Sequence, residues 1–208
     1  MFTGIIQSTG QVNQKKTVGD GIRMQVLSPG FFASCKEGDS VANNGVCLTI
    51  EECDQDTAWF SLVHQTVSVT AFQQIEEQDL VNLELPCTGN SLLGGHYVMG
   101  HVDGVAEVEE IISREHGCEV LLKIPAYSRK YIIDKGSVTL NGISLTIAEK
   151  RSEGIRIAII PETLEKTNLR NWVPCTLVNF EVDVLGKYVE SLVKDQLEAM
   201  LQQQKENL

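Results

Sequence analysis

The sequence predicts an all-β protein: two similar small domains in tandem, each a sandwich or barrel, followed by one helix. Three observations lead there. The first is an internal repeat. A shift of 97 lays residues 44–50, NGVCLTI, on residues 141–147, NGISLTI. The same shift lays Thr66 on Thr163 and residues 81–84, VNLE, on residues 178–181, VNFE; near the start a shift of 96 lays GIIQSTGQV, from Gly4, on GHVDGVAEV, from Gly100. A unit of roughly a hundred residues is too long for a solenoid repeat and suits two domains. The second observation is the recurrence of turn signals about every 8–12 residues between short apolar runs. The third is a change of period after Val184, from strand-like to helical.

Taken in order, SVANNGVCLTIEEC holds an Asn-Gly turn between two strand-like runs, and TAWFSLVH and IRIAIIP are β-branched and aromatic runs that end at a breaker. CTGNSLLGGH, around residues 89–95, is the expected link between the halves. A short helix is expected near residues 125–133, PAYSRKYII. In the tail, Leu185, Val189, Leu192, Val193, Leu197, Met200 and Leu201 fall at steps of one, three and four, one apolar helix face. Such a helix must lie against the barrels or meet other copies of itself.

Composition bounds the function. The 208 residues are 42% hydrophobic and 22% charged, which suits a soluble globular chain with a real core. No apolar run is long enough to span a bilayer and no charged-then-apolar leader opens the chain, so a cytoplasmic protein with no membrane partner is expected. The net charge of −11 repels phosphate backbones and argues against nucleic acid, while leaving room for a local basic pocket. None of the six cysteines forms a C-x-x-C pair, which weakens zinc and redox readings. Apart from Cys47 they read as small buried hydrophobes.

The places where the two copies differ are informative. Cys47 stands opposite Ser144, Ile5 opposite His101, His64 opposite Pro161, Gln65 opposite Glu162 and Phe2 opposite Val98. Thr49 and Thr146 match, as do Thr66 and Thr163. Two related pockets that hold similar molecules and treat them differently would give this pattern; so would drift in two packed cores. His96 and His101, five apart, would point to opposite faces of a strand, which argues against a shared metal. His101 alone reads equally as a hydrogen-bonded structural histidine, and Cys47 as a packed thiol. Gly94 and Gly95 precede no helix pattern and make no dinucleotide fingerprint.

MFTGII at the start, NGVCLTI, GGHYVMGHVDG from Gly94, NGISLTI and PETLEKTNL from Pro161 together resemble riboflavin synthase of the α-chain type, over essentially the whole chain. The resemblance implies two tandem pseudo-symmetric Greek-key six-stranded β-barrels, at residues 1–93 and 94–184, and a C-terminal α-helix at 185–208 that assembles a homotrimer. It implies a dismutation of two 6,7-dimethyl-8-ribityllumazine molecules with transfer of a four-carbon unit. The products are riboflavin and 5-amino-6-(D-ribitylamino)uracil, and no metal or organic cofactor takes part. The site would lie between the N-barrel of one subunit and the C-barrel of another. The resemblance also raises, without deciding, docking into a lumazine synthase assembly.

Carried over residue by residue, the N-barrel pocket resembles Cys47, Leu48 and Thr49 with Ser61, Leu62, Val63, His64, Gln65 and Thr66, approached by Gly100, His101 and Val102, with Lys135 nearby. The C-barrel pocket resembles Ser144, Leu145 and Thr146 with Ala158, Ile159, Ile160, Pro161, Glu162 and Thr163, approached by Gly4, Ile5 and Ile6. Main-chain groups in these runs would read the pteridine edge, and Thr66, Thr163 and Glu162 the ribityl hydroxyls. Cys47, Ser40, Ser144 and His101 match the polar groups near the reacting atoms, and Phe2 the N-terminal aromatic. Two departures stand out: Asn141 where an Asp is frequent, and Gln65 where a Glu is. An Asn cannot be a general base, so proton transfer by that side chain is in doubt. Two other functions compete with the enzyme: a lumazine or flavin antenna protein, which needs one good pocket, and a structural protein, which needs none. Both NG-x-x-LTI motifs are intact, which favours the enzyme.

Overall fold

The computed structural model describes residues 1–206, with side chains described through residue 194 and at residue 196. The first barrel comprises β1 (Ser8–Val18), β2 (Gly21–Leu27), β3 (Ser40–Asn43), β4 (Val46–Cys53), β5 (Thr57–Leu62) and β6 (Leu80–Glu84). The second comprises β7 (Gly104–Arg114), β8 (Gly117–Lys123), β9 (Ser137–Leu140), β10 (Ile143–Lys150), β11 (Gly154–Ile159) and β12 (Leu177–Val182). Both sheets are closed, in the order β1-β2-β5-β4-β3-β6 and its counterpart β7-β8-β11-β10-β9-β12. All neighbouring strands are antiparallel, and the jump from β2 to β5 makes each barrel a Greek key. Short helices α1 (His64–Val69) and α2 (Pro161–Lys166) follow β5 and β11, and α3 (Val184–Glu206) ends the described chain.

The local chemistry explains the match between the halves. Asn44 and Gly45 join β3 to β4 with φ of 44° and 75°, and Asn141 and Gly142 join β9 to β10 with 45° and 81°. Positive φ at both positions is the two-residue hairpin geometry that Asn-Gly favours. Each barrel also bends at equivalent bulges: Val12/Gln14 with Val108/Glu110, and Ile50/Glu52 with Ile147/Glu149. Bulges raise local twist and help a sheet close. Inward side chains fill two separate cores, one around Met24, Phe60 and Leu83, the other around Leu122, Ile157 and Phe180.

Some expectations need adjustment. The helix near residues 125–133 is a 3₁₀ turn, Ala126–Tyr131. The helices α1 and α2 were not expected: six residues are too few to show a helical period. Only Cys118 among the cysteines is buried; Cys35, Cys47, Cys53 and Cys87 are half-buried and Cys175 is exposed. The histidine argument also rested on a strand that does not exist, because His96 and His101 lie in the connection between β6 and β7. No helix among the described residues is long and apolar enough to cross a membrane. On α3 the side chains of Leu185, Val189, Leu192 and Val193 are exposed. Those of Leu197, Met200 and Leu201, and residues 207–208, lie outside the described residues.

The two barrels meet at their Asn-Gly turns. Asn82 Nδ2 donates to Asn141 O and Asn179 Nδ2 to Asn44 O, both at 2.9 Å. Asn82 Oδ1 accepts from Asn168 N and Asn179 Oδ1 from Ala71 N, both at 2.7 Å. Within each barrel, Asn44 Oδ1 accepts from Asn82 N and Asn141 Oδ1 from Asn179 N. A Cβ on Gly45 would stand 2.6 Å from Gly142 N, so the turns touch backbone to backbone.

The chain ends of the two barrels are exchanged across this junction. Residues near Phe2 pair with residues near Val98 in an isolated antiparallel bridge. Gly4 O then accepts from Ser144 N of the C-barrel at 2.8 Å, and Gly100 O from Cys47 N of the N-barrel at 2.9 Å. Ile6 packs on the C-barrel core and Val102 on the N-barrel core. Each barrel therefore lends a strap to the other.

Asn179→Ala leaves Asn44 O and Ala71 N without their partner. The variant is expected to lose about 1–3 kcal/mol per group left unpaired and to uncouple the barrels, so that calorimetry resolves two transitions where the parent shows one. A single transition at the parent's temperature would show that the barrels are held together by something else.

Candidate functional site

Each strap covers a cavity on the outer face of the barrel it reaches. In the N-barrel the cavity is about 300 Å³ and is lined by Val46, Cys47, Gln65, Thr66, Val69, Thr70, Gly100, His101 and Val102. In the C-barrel it is about 290 Å³ and is lined by Gly4, Ile5, Ile6, Ile143, Ser144, Ile160, Glu162, Thr163, Lys166 and Thr167. Almost every lining residue of one has its repeat counterpart in the other. The strap glycines are required: Gly4 has φ 76° and Gly100 φ 75°. A Cβ on Gly4 would stand 2.6 Å from Ser144 Cβ, and one on Gly100 2.7 Å from Cys47 Cβ.

The far wall of each cavity is a short helix. Thr70 and Thr167 donate their hydroxyls to Thr66 O and Thr163 O, and Thr70 Oγ1 and Thr167 Oγ1 also cap the next turn by accepting from Phe72 N and Leu169 N. Among the described residues the side-chain hydroxyls of Thr66 and Thr163 have no such bond, so they are free for a ligand. Pro161 starts α2, and Glu162 pairs with Lys166 one turn on at 2.6 Å. Lys166 holds the Glu162 carboxyl below its usual range. The equivalent pair in α1, Gln65 and Val69, is uncharged, so the two cavities differ in charge as well as in Cys47 against Ser144.

The structure thus gathers Cys47, Gln65, Thr66, Gly100, His101 and Val102 around one cavity, and Gly4, Ile5, Ile6, Ser144, Ile160, Glu162 and Thr163 around the other. Leu48, Leu62, Leu145 and Ile159 point into the cores, so only their main chain can face a ligand. Ser61, Val63, His64, Ala158 and Pro161 are exposed beside the cavities. Thr49 and Thr146 are exposed two residues beyond Cys47 and Ser144, on the same strand face, and Ser40 lies opposite Thr49. Phe2 is wholly buried against Ala42, Val98 and Cys47, so it backs the cavity wall and does not line it. Lys135 is not brought to the N-barrel cavity of its own chain; it sits on the C-barrel, donating to Ile147 O and Ala148 O. Asn141 lies at the barrel junction, and its side chain is taken up by Asn179. Among the described residues no group of three His, Cys, Asp or Glu could hold a metal ion.

Several residues at the site were not named as site residues from sequence: the lining residues Val46, Val69, Thr70, Ile143, Lys166 and Thr167, the buried Glu84 and Glu181, and His96, which was weighed only as a metal ligand. Glu84 accepts from Thr3 N, Thr3 Oγ1 and Gly4 N. Its counterpart Glu181 accepts from Met99 N at 2.8 Å and Gly100 N at 3.1 Å. Each is 2% exposed, and each clamps the strap that serves the other barrel. The repeated VNLE and VNFE carried the signal: Asn joins the barrels and Glu holds the strap. His96 contacts Ser144 from behind the cavity.

A family profile described as lumazine binding domain matches residues 3–86 and again 99–183. The chain is 37% identical over 199 residues to a riboflavin synthase of Mycobacterium tuberculosis, covering 93% of this chain and 98% of that protein. It is 34% identical over 193 residues to a riboflavin synthase of Actinobacillus pleuropneumoniae, covering 93% and 90%. Among solved structures it is similar to LumP complexed with 6,7-dimethyl-8-(1'-D-ribityl) lumazine, at a TM-score of 0.80 and 28% identity over 88% of this chain and 99% of that one. It is likewise similar to LumP complexed with riboflavin, at a TM-score of 0.81 and 30% identity over 88% and 99%.

Burial pushes the Glu181 carboxyl up to about 7, while the two N–H donors and Lys187 pull it down and Asp103 pushes it up. The native chain therefore holds this proton between 4.5 and about 7, where the unfolded chain has released it. The stability from that difference is full below 4.5 and is lost as pH rises through about 7. A carboxyl carbon titrating near neutrality by NMR, absent in Glu181→Gln and moved upward in Lys187→Met, is the expected result. Titration of Glu181 near 4.5 would mean that water reaches the clamp.

Proposed function

The chain belongs to the lumazine-binding domain family and, within it, to the riboflavin synthases, and on that premise we propose that it converts two 6,7-dimethyl-8-ribityllumazine molecules into riboflavin and 5-amino-6-(D-ribitylamino)uracil. One molecule gives up four carbons and the other takes them, so atoms balance without an oxidant or reductant. The observation that carries the reading is the pair of equivalent cavities. The reaction consumes two copies of one molecule, which two similar pockets can hold. The two copies have opposite fates, which calls for different side chains near the reacting atoms. Cys47 and His101 in one cavity, and Ser144 with the Glu162–Lys166 pair in the other, provide that difference.

In this reading the free hydroxyls of Thr66 and Thr163 receive ribityl oxygens, and main-chain groups at the ends of β5 and β11 receive the ring edge. Holding two substrates face to face is worth much of the barrier, since well-oriented encounters reach effective molarities on the order of 10⁵–10⁸ M. His101 and Cys47 supply polar groups near the acidic methyl and the ring carbon under attack. A LumP-like binding protein is the second reading, favoured by the solved likenesses. The retention of both cavities supports the enzyme. Riboflavin formed from lumazine alone, one molecule for each two consumed, tests the choice.

The subunit arrangement belongs to the same proposal. We divide the chain into lumazine-binding barrels at 1–93 and 94–184 and an assembly helix from 185. The first turns of α3 are tied to the C-barrel by Lys130 and Tyr131 with Glu190, and by Lys187 with Asp103 at 2.6 Å. Leu185, Tyr188, Val189, Leu192 and Val193 nonetheless remain 54–66% exposed. Val63 and Ile160, equivalent residues beside the two cavities, are 66% and 58% exposed. Apolar surface of this extent supports a homotrimer in which the N-barrel cavity of one subunit faces the C-barrel cavity of another. A cytoplasmic location follows from the same reading.

Two predictions test this function. Cys47→Ser is expected to keep part of the turnover, because a hydroxyl already serves at Ser144. His101→Gln is expected to lower kcat by about 10²-fold, at the low end of a positioned acid–base group, with ligand affinity little changed in a fluorescence titration. Full activity in both would remove these side chains from the chemistry. Truncation before Lys187 is expected to yield monomers that bind one ligand per barrel but turn over slowly, with specific activity rising with protein concentration. A fully active monomer in sedimentation would place the whole site within one chain.

A further inference from the structure

We infer that His96, a residue outside both cavities, positions the Ser144 hydroxyl and so gives the C-barrel cavity a directed oxygen that the N-barrel cavity lacks. The inference rests on the proposed reaction for its kinetic consequence, and on geometry alone for the contact itself.

His96 lies in the connection between the barrels, 8% exposed. Its main-chain N–H donates to Thr3 O at 3.1 Å, which fixes the backbone beside the first strap. Its ring spans two hydroxyls: Nδ1 is 2.7 Å from Ser144 Oγ and Nε2 is 3.1 Å from Thr139 Oγ1. Thr139 is 1% exposed and sits opposite Ser144 in the β9–β10 ladder. Both ring nitrogens are therefore engaged, and the ring cannot turn without losing both bonds. Ser144 is also held through its main chain, since its N–H donates to Gly4 O.

The repeat supplies the comparison. Ala42 and Cys47 occupy the positions of Thr139 and Ser144 in the N-barrel, and they pack on the buried ring of Phe2. One cavity has a polar line of three groups behind its wall; the other has an apolar cluster. Burial lowers the pKa of His96, with Asp183 opposing, so the imidazole is neutral and has one N–H and one lone pair. Both hydroxyl partners can donate or accept. The line therefore has two self-consistent settings. In one, Ser144 donates to Nδ1 and turns an oxygen lone pair to the cavity. In the other, Nδ1–H donates to Ser144 and frees its O–H for a ligand. A serine with no partner behind it would sample every rotation of its hydroxyl; here the hydroxyl either points at Nδ1 or accepts from it and points away.

Nitrogen-15 NMR of the imidazole and steady-state kinetics test this together. In the parent, His96 is expected to show the shifts of a neutral, hydrogen-bonded ring, and Ser144→Ala to move the Nδ1 resonance. If Ser144→Ala leaves that resonance in place, the contact does not exist and the inference fails, whatever the protein catalyses. His96→Ala is expected to lower kcat by about 10²-fold, the scale of a group misplaced by an ångström, with KM little changed. Adding it to Ser144→Ala is expected to cost nothing more, because the two act as one unit. His96→Asn, whose amide reaches the position of Nδ1, is expected to recover part of kcat. Thr139→Val, which keeps the fold's shape, is expected to give a milder loss of the same kind. Additive losses in the double variant, or an equal loss in His96→Asn and His96→Ala, would overturn the positioning role. Absence of riboflavin from the parent itself would instead sink the proposed reaction and leave the NMR result to decide the contact.

Discussion

The reciprocal hydrogen bonding of Asn82 and Asn179 across the barrel junction is the constraint on which the rest depends. Each amide spans from its own β-strand to the main-chain oxygen of the other barrel's turn, at 2.9 Å. These side chains are at most 2% exposed, so an unmatched partner would be costly. The bonds fix the two Asn-Gly turns against each other, and that placement decides where the chain can cross. With the turns in contact, residues 2–6 must pass over the C-barrel and residues 98–102 over the N-barrel. The cavities exist because of this crossing: neither has its strap wall without the other domain.

The same constraint explains which residues the two halves share and which they do not. The Asn-Gly turn, the Asn of β6 and β12 and the Glu that follows it serve the junction and the straps, which are equivalent in both halves. Lining residues answer to whatever each cavity does, and there the chain departs from its own repeat. Asn141 belongs to the first class. It needs a left-handed backbone, φ 45°, and an oxygen for Asn179 N, and an asparagine supplies both. Its side chain is occupied by structure, so the absence of an acid there says nothing against proton transfer elsewhere in the site.

Much of the fold could be read from the residues. The Asn-Gly pairs specify hairpins by backbone sterics alone, and the helical stripe after Val184 is long enough to declare its period. Part of the cavity lining could also be read, through the motifs that resemble riboflavin synthases, but Val69, Thr70, Lys166 and Thr167 were not named. Nor were the clamps. Glu84 and Glu181 stand in alternating strands where a charged residue normally faces water, and only the crossing of a strap buries them. His96 is hidden for a similar reason: its two partners, Ser144 and Thr139, are some forty residues away. Phe2 was matched from sequence to the family's N-terminal aromatic. What its neighbours would be was not legible: the Phe2–Val98 bridge draws it wholly inside. α1 and α2 were missed because six residues are too few to show a helical period.

The connection between the barrels carries more than length. Within it His96 turns towards the C-barrel and His101 towards the N-barrel, so one segment lines one cavity with an imidazole and sets another behind Ser144 of the other. The two placements differ in kind. His101 sits on the strap and lines its cavity; its repeat counterpart on the other strap is Ile5, whose side chain has nothing to donate or accept. The C-barrel cavity thus has an apolar strap in front and its imidazole behind Ser144, while the N-barrel cavity has its imidazole in front and the apolar ring of Phe2 behind Cys47. Glu181 holds Met99 and Gly100 just before His101, and Lys187, at the base of α3, faces that carboxylate together with Asp103. Lys187, paired with Asp103, thus lies within electrostatic reach of the carboxyl that holds the strap. The corresponding carboxyl of the other strap, Glu84, is pushed up by burial and pulled down by its hydrogen bonds to Thr3, Gly4 and Ile5, with no lysine or aspartate among the influences on it.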